Sequence, residues 1–255
     1  MVTMHQKYRV VLILQARMGS ERLPGKSMMD LAGEPLVGRI LERVKRCKSL
    51  DKIVLAIPDT DENNPLRETA NEYNVKVFAG AEDDLVERYY QAALDSDANI
   101  VVRIPADNPT PEPQEIDRII YHHLSLKRVG FSSNLSVIND SGYPDGIGAE
   151  VFDFCLLKDV RDTVKDSFKR EHPHLNFFNY ETGLAVNSDW CPISTVQCPI
   201  NFRRPDLILD VNTKEQYIFM KELYEALYPS NPEFSIMDII SWYDHEYDGS
   251  MKLAL

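Results

Sequence analysis

Val10-Val11-Leu12-Ile13-Leu14-Gln15-Ala16-Arg17-Met18-Gly19-Ser20-Glu21-Arg22-Leu23-Pro24-Gly25-Lys26 runs from an apolar segment into a cationic loop. The apolar part, Val10 to Leu14, has the composition of a buried strand. Gly19 and Gly25 let the following backbone come close to a ligand. Arg17, Arg22 and Lys26 add full positive charges that can hold several phosphate oxygens. A strand ending in such a loop predicts an α/β fold with a nucleoside triphosphate at the strand end.

Gly25-Lys26-Ser27 invites comparison with a P-loop, but the spacing refuses it. A P-loop has four residues between its first glycine and the Gly-Lys-Ser/Thr group; here five residues separate Gly19 from Gly25. A P-loop helix would also begin at the lysine. Met28 to Pro35 reads instead as a short extended piece and a turn, with Pro35 opening a later helix.

Further apolar or β-branched runs at Ile53 to Ile57, Val75 to Phe78 and Ile100 to Ile104 predict strands. Between them, Leu36, Val37, Ile40, Leu41 and Val44 form one helical face, and Leu85, Val86, Tyr89, Tyr90 and Ala93 another. The alternation implies a mostly parallel sheet with helices on both faces, whose ligands bind at the carboxyl ends of the strands. From about residue 132 to 200 the rhythm breaks into short pieces, so this region reads as an insertion. Leu207 to Val211 reads as a return to the sheet, and Thr213-Lys214-Glu215-Gln216 as the capping box of a helix.

A chain of 255 residues with a net charge of −12 is long enough for one α/β domain and too acidic for a general nucleic-acid or anionic-membrane binder. The cationic loop is therefore a local positive island. No apolar run reaches the roughly 20 residues of a membrane span, and the first residues are too polar for a secretory signal. A cytoplasmic location is the expectation. Cys47, Cys155, Cys191 and Cys198 show no Cys-x-x-Cys spacing, which predicts free thiols rather than a zinc or redox site.

Several further stretches point the same way as the first loop: Val77-Phe78-Ala79-Gly80-Ala81-Glu82-Asp83-Asp84-Leu85, Arg88-Tyr89-Tyr90-Gln91-Ala92-Ala93, Val102-Arg103-Ile104-Pro105-Ala106-Asp107-Asn108-Pro109, Tyr143-Pro144-Asp145-Gly146 and Arg170-Glu171-His172. In this order they resemble the cytidylyltransferases that activate acidic sugars. The likeness is greatest to the spore-coat polysaccharide F group, relatives of the keto-deoxy-octulosonate and acylneuraminate enzymes. It covers residues 9 to about 225 and is most specific in the N-terminal half. It implies a single Rossmann-like, GT-A-like nucleotide-diphospho-sugar transferase domain. Residues 9–131 would bind nucleotide, 132–200 would form the acceptor and dimer region, and 201–255 would return to the sheet.

The resemblance implies a Mg²⁺-dependent transfer of the cytidylyl group of CTP to an anionic acceptor, by a homodimer. The nucleotide site would comprise Leu14, Gln15, Ala16, Arg17, Gly19, Ser20, Arg22, Lys26, Asp83, Arg103 and Asp107. Arg17, Arg22, Lys26 and Asp107 would carry the chemistry, and Asp145, Glu150, Arg170 and His172 would meet the acceptor. Arg103 suits either a phosphate or the acceptor's carboxylate, or else is an arginine paired with a carboxylate. Asp107 would hold the metal, although an aspartate also suits a Pro-Ala-Asp-Asn-Pro turn for its own reasons. Two positions depart from the family pattern. Asn212 stands where relatives have a second metal-binding aspartate; its amide oxygen would still serve the metal beside Asp107, with Asp210 two residues back in support, and Gly148 stands where many carry an acidic residue. His172 and His174 suggest zinc only weakly, since no Glu-x-x-His arrangement surrounds them. The rival readings are a nucleotide-sugar glycosyltransferase, whose Asp-x-Asp mark occurs in form at Asp95-Ser96-Asp97, and a non-catalytic nucleotide-binding relative.

Overall fold

The computed structural model describes residues 8–135 and 138–247. In chain order its strands and α-helices are β1 (Val10–Gln15), β2 (Asp30–Leu31), β3 (Glu34–Pro35), α1 (Leu36–Val44), β4 (Lys52–Pro58), α2 (Asn64–Glu72), β5 (Lys76–Gly80), α3 (Leu85–Leu94), β6 (Ile100–Pro105), α4 (Pro113–Ser125), β7 (Phe131–Ser133), β8 (Glu150–Asp153), α5 (Phe154–Thr163), α6 (Ser167–Glu171), β9 (Ile193–Ser194), α7 (Lys214–Leu227) and α8 (Ile236–His245). The main sheet has the order β5-β4-β1-β6-β8-β7-β9. Only β8 runs against its neighbours, antiparallel to both β6 and β7.

β1 is covered on both faces, which is why it reads as unbroken apolar sequence. Successive side chains of a strand point to opposite faces. Leu12 and Leu14 accordingly enter a core built with α1, α2, α4, α7 and α8, while Val11 and Ile13 enter a second core with α3 and α5. The chain leaves β1 for β4 and β5 on one side and returns to β6 on the other. That reversal opens a crevice at the carboxyl ends of β1 and β6, where ligands of such sheets bind.

Pro35 does not begin the helix. It pairs with Asp30 across a two-residue turn, and the helix starts at Leu36. Ala32 and Gly33 take φ of 51° and 92°, the left-handed pair that matches the twist of a tight hairpin. The broken region from 132 to 200 supplies β8 and β9 and shares β7, so it extends the sheet beside β6. Leu207 to Val211 departs from expectation, because no strand forms there and the sheet is not rejoined among residues 201–247. Its alternation is real, since Leu207, Leu209 and Val211 are all fully buried. Its backbone, however, bonds to loops: Asp145 N–H donates to Leu207 O, Leu209 N–H to Asp145 O, and Val211 N–H to Asp107 O. The capping box forms as read, with Thr213 and Gln216 bonded reciprocally at the start of α7.

Candidate active site

A cleft of about 690 Å³ lies at the crevice, bordered by the loops after β1 and β6 and by residues of the inserted region. Gly25 takes φ +71°, and Gly25 N–H and Ser20 N–H both donate to Met18 O. This tight turn sends Lys26 back toward the cleft. Lys26 Nζ lies 2.9 Å from Val211 O, 3.4 Å from Asn212 Oδ1 and 3.5 Å from Asp107 Oδ2. Arg22 Nη2 donates to Asn212 Oδ1 at 2.7 Å. Arg17 Nη2 is 3.7 Å from Glu171 Oε1 on α6. Gln15, Ala16 and Ser20 also line the cleft.

Three expected nucleotide residues stand elsewhere. Leu14 belongs to the core beneath β1. Gly19 does not line the cleft. Asp83 is exposed beside the lining residues Glu82 and Leu85, while its neighbour Asp84 caps α3 by accepting from Glu87 N–H. Arg88, which residue type alone did not single out, is buried at the back of the cleft and donates to Ala81 O at 2.7 Å. Burial and the charge of Arg17 hold its pKa down at about 10.

The carboxylates converge from three loops. Asp107 follows β6, Asp145 sits in the Tyr-Pro-Asp-Gly turn, and Asp210 precedes α7; all line the cleft. Asp210 titrates at about 6, raised by burial and then by the charges of Asp145 and Asp107, with Lys26 and Arg22 opposing. Burial, with a contribution from Asp107, also raises Asp145. Gly146, at φ +90°, is required here, because a Cβ would lie 2.8 Å from the carbonyl carbon of Leu209.

Asn212 joins the cations to the acids. Its Oδ1 accepts from Arg22 and Lys26, while its Nδ2 donates to Asp210 Oδ2. The reverse amide orientation would face N–H groups to two cations and the oxygen to a carboxylate. Gln216 of the capping box holds the other Asp210 oxygen, with Nε2 at 3.2 Å. Of the three residues expected to hold a metal, Asp107 and Asp210 bring carboxylates to the cleft, while Asn212 brings an amide oxygen that faces two cations and an amide nitrogen that orients Asp210. Among the described residues no cluster of three or more His, Cys, Asp or Glu forms a ready cage. Magnesium does not require one, since it binds through one or two carboxylates together with phosphate oxygens and water.

On the far wall Arg103 is neither free nor exposed. It is a register partner of Glu150 across β6 and β8, and its Nη1 donates to Glu150 Oε1 at 2.8 Å. Gly148 is explained by crowding: a Cβ there would lie 2.4 Å from Asn134 Oδ1, the oxygen that accepts Ala149 N–H. An acidic side chain at 148 and this asparagine cannot coexist. His172 lines the cleft as expected, together with His174, Phe168 and Tyr180. Phe168 stands on α6 itself, and the turns after α6 bring in His174 and Tyr180.

Arg170 faces away from the cleft, contrary to the expected acceptor contact. Its Nη2 is 2.6 Å from Asp84 Oδ2, and its Nη1 donates to Arg161 O and Val164 O. The guanidinium fastens α6 to α3 and α5. Arg170→Ala should therefore cost about 1–3 kcal/mol of stability, the scale for losing hydrogen bonds to a charged group, measurable by urea denaturation. Unchanged stability combined with a raised acceptor KM would instead return Arg170 to the acceptor.

Asp95-Ser96-Asp97 is remote from this chemistry. It ends α3 just before β6 starts, at the end of the sheet opposite the cleft, with Asp95 paired to Lys76 and Asp97 to Arg9. No helix among the described residues is long and apolar enough to cross a membrane.

The chain as a whole is similar to several known proteins. The spore coat polysaccharide biosynthesis protein SpsF of Bacillus subtilis is 27% identical over 249 residues, covering 95% of this chain and 97% of its own. A cytidylyltransferase structure from Leptospira borgpetersenii superposes with a TM-score of 0.82 at 26% identity, covering 93% of this chain and 94% of that one. A CTP complex of CMP:2-keto-3-deoxy-manno-octonic acid synthetase shares the fold, with a TM-score of 0.62 at 15% identity over 86% of this chain and 99% of that one. The family model described as cytidylyltransferase matches residues 11–237, and the chain belongs to that family.

Proposed function

We propose that the cleft transfers the cytidylyl group of CTP to a hydroxyl of an anionic, sugar-type acceptor and releases pyrophosphate. One observation carries this reading: the cations Arg17, Arg22 and Lys26 share a single cleft with the carboxylates Asp107 and Asp210. In-line displacement at the α-phosphorus is dominated by charge control. In this reading Arg22 and Lys26 hold the triphosphate and stabilise the charge that grows on the leaving pyrophosphate. Arg17 gives up its contact with Glu171 to join them. Asp107 and Asp210 hold magnesium, which when bound neutralises phosphate oxygens and lowers the pKa of an attacking hydroxyl. The inserted region chooses the acceptor through Asp145, Glu150 and His172. The same region is taken to pair two copies of the chain, with Leu184 and Val186 exposed on it.

Pyrophosphate release, measured over the four ribonucleoside triphosphates against a panel of keto-sugar acids and phosphorylated acceptors, tests base, acceptor and reaction together. The expected outcome is release with CTP and a keto-sugar acid, dependent on magnesium. Sugar transfer from a nucleotide-sugar donor without any pyrophosphate release would establish the glycosyltransferase reading instead.

A further inference from the structure

Gln216 belongs to a helix cap, yet its side chain reaches the cleft. It is the third residue of α7, and its Oε1 accepts from Thr213 N–H at 3.0 Å, which completes the capping box. The same oxygen accepts from Asn212 N–H at 2.7 Å. Two backbone donors at Oε1 fix the amide orientation, because the reverse would set N–H groups against N–H groups. Nε2 is thereby turned to Asp210 Oδ1, 3.2 Å away. Capping does not require that last bond, since the box is complete with the reciprocal bonds between the N-cap and the third helical residue.

Asp210 has use for it. Leu207 to Val211 belongs to no strand, so no ladder of backbone hydrogen bonds sets the direction of its side chains. Two amides hold the carboxylate instead: Asn212 Nδ2 donates to Oδ2 and Gln216 Nε2 to Oδ1. Both donors are neutral. A neutral donor fixes the direction of a carboxylate without cancelling its charge, whereas an arginine or lysine would do both. Arg22 and Lys26 stand close by, but Asn212 Oδ1 accepts a hydrogen bond from each. Asp210 therefore combines a fixed direction with a charge left for a divalent cation.

We propose that Gln216 is a positioning residue of the reaction: through Nε2 it holds the Asp210 carboxylate in the direction in which it meets magnesium, so that the cap of α7 and the metal side of the cleft share one side chain. This rests on the cytidylyl-transfer reading, in which Asp107 and Asp210 hold the metal. Hydrogen bonds to a ligating carboxylate are worth about 10- to 100-fold in metal affinity. A helix cap by itself has no such effect.

The test separates the two duties of the side chain. Thr213→Ala removes the oxygen that accepts from Gln216 N–H at 3.3 Å and leaves Nε2 on Asp210. Gln216→Ala removes the cap bonds and the Asp210 contact together. Each should lower the melting temperature by about 2–4 °C, the scale for losing a cap in a chain of this size. Mn²⁺ is then titrated into the stoichiometric complex of the full chain with a non-hydrolysable CTP analogue and followed by electron paramagnetic resonance. Gln216→Ala should weaken Mn²⁺ binding about 10- to 100-fold, and Thr213→Ala by less than about twofold. In a chain that already carries Asp210→Asn, adding Gln216→Ala should change the affinity by less than about twofold, because a residue that acts through another does not add to its loss. Unchanged Mn²⁺ affinity in Gln216→Ala overturns the proposal, as does an equal loss in Thr213→Ala. So does a full repeat of the loss on the Asp210→Asn background, or an unaltered complex that holds Mn²⁺ no more tightly than the free analogue does. Failure of the unaltered chain to bind the CTP analogue is a different result, one that removes the cytidylyl-transfer reading itself.

Discussion

Asp107→Asn is expected to reduce cytidylyl transfer at ordinary magnesium by about 10³-fold or more, the scale of losing a charge that positions a metal and the phosphate oxygens it neutralises. The fold should survive, because the change is nearly isosteric and the residue's structural contact is through its backbone: Asp107 O accepts from Val211 N–H at 2.7 Å. What disappears is a carboxylate 3.5 Å from Lys26 Nζ whose charge also helps to raise Asp210. Activity should be partly restored at high magnesium, since Asp210 remains. A magnesium titration that overlays that of the parent would place the metal elsewhere and leave Asp107 as a turn residue.

Lys26→Ala and Arg22→Ala should each lower kcat/KM for CTP by about 10²- to 10³-fold, as expected for removing one preorganised donor from a site of developing charge. The two substitutions differ in side effects. Lys26 Nζ also bonds Val211 O at 2.9 Å, so its loss loosens the tie between the first loop and the segment before α7. Arg22 reaches that segment only through the Asn212 side chain, and its loss should leave stability nearly unchanged. Steady-state kinetics with varied CTP, set beside thermal unfolding, separates these effects. Unchanged kinetics in both variants would remove the triphosphate from this loop.

The parts of this molecule legible in the sequence are those written in local periodicity and turn chemistry. Val10 to Leu14 is unbroken apolar sequence because helices cover both faces of β1, and a run of that kind cannot be solvated. The Thr213 to Gln216 capping box is legible because its two hydrogen bonds join residues three apart. Asp107 stands out because it follows a strand that the apolar run Ile100 to Ile104 announces. The positive charge of the first loop is legible from residue type alone.

The tertiary structure decided which of these groups meet. Leu207 to Val211 has a strand's alternation, yet it lies along loops because its hydrogen-bond partners are Asp145 and Asp107, which no local pattern foretells. Arg170 has the residue type of an anion site, yet it is turned to Asp84 across 86 positions of sequence. Arg103 read equally well as a phosphate ligand or a paired arginine, and the register of β6 with β8 settled it by placing Glu150 opposite. Asn212, a departure from pattern when read in sequence, becomes intelligible beside Arg22, Lys26 and Asp210, since an amide can face cations with its oxygen and a carboxylate with its nitrogen. Sequence by itself thus determined the central strands β1, β4, β5 and β6, the capping of α7 and the charge of the first loop, because those follow from forces acting within a few residues. The pairing of charges across the cleft was left to the fold, because Coulombic and hydrogen-bonding partners are chosen by distance in space.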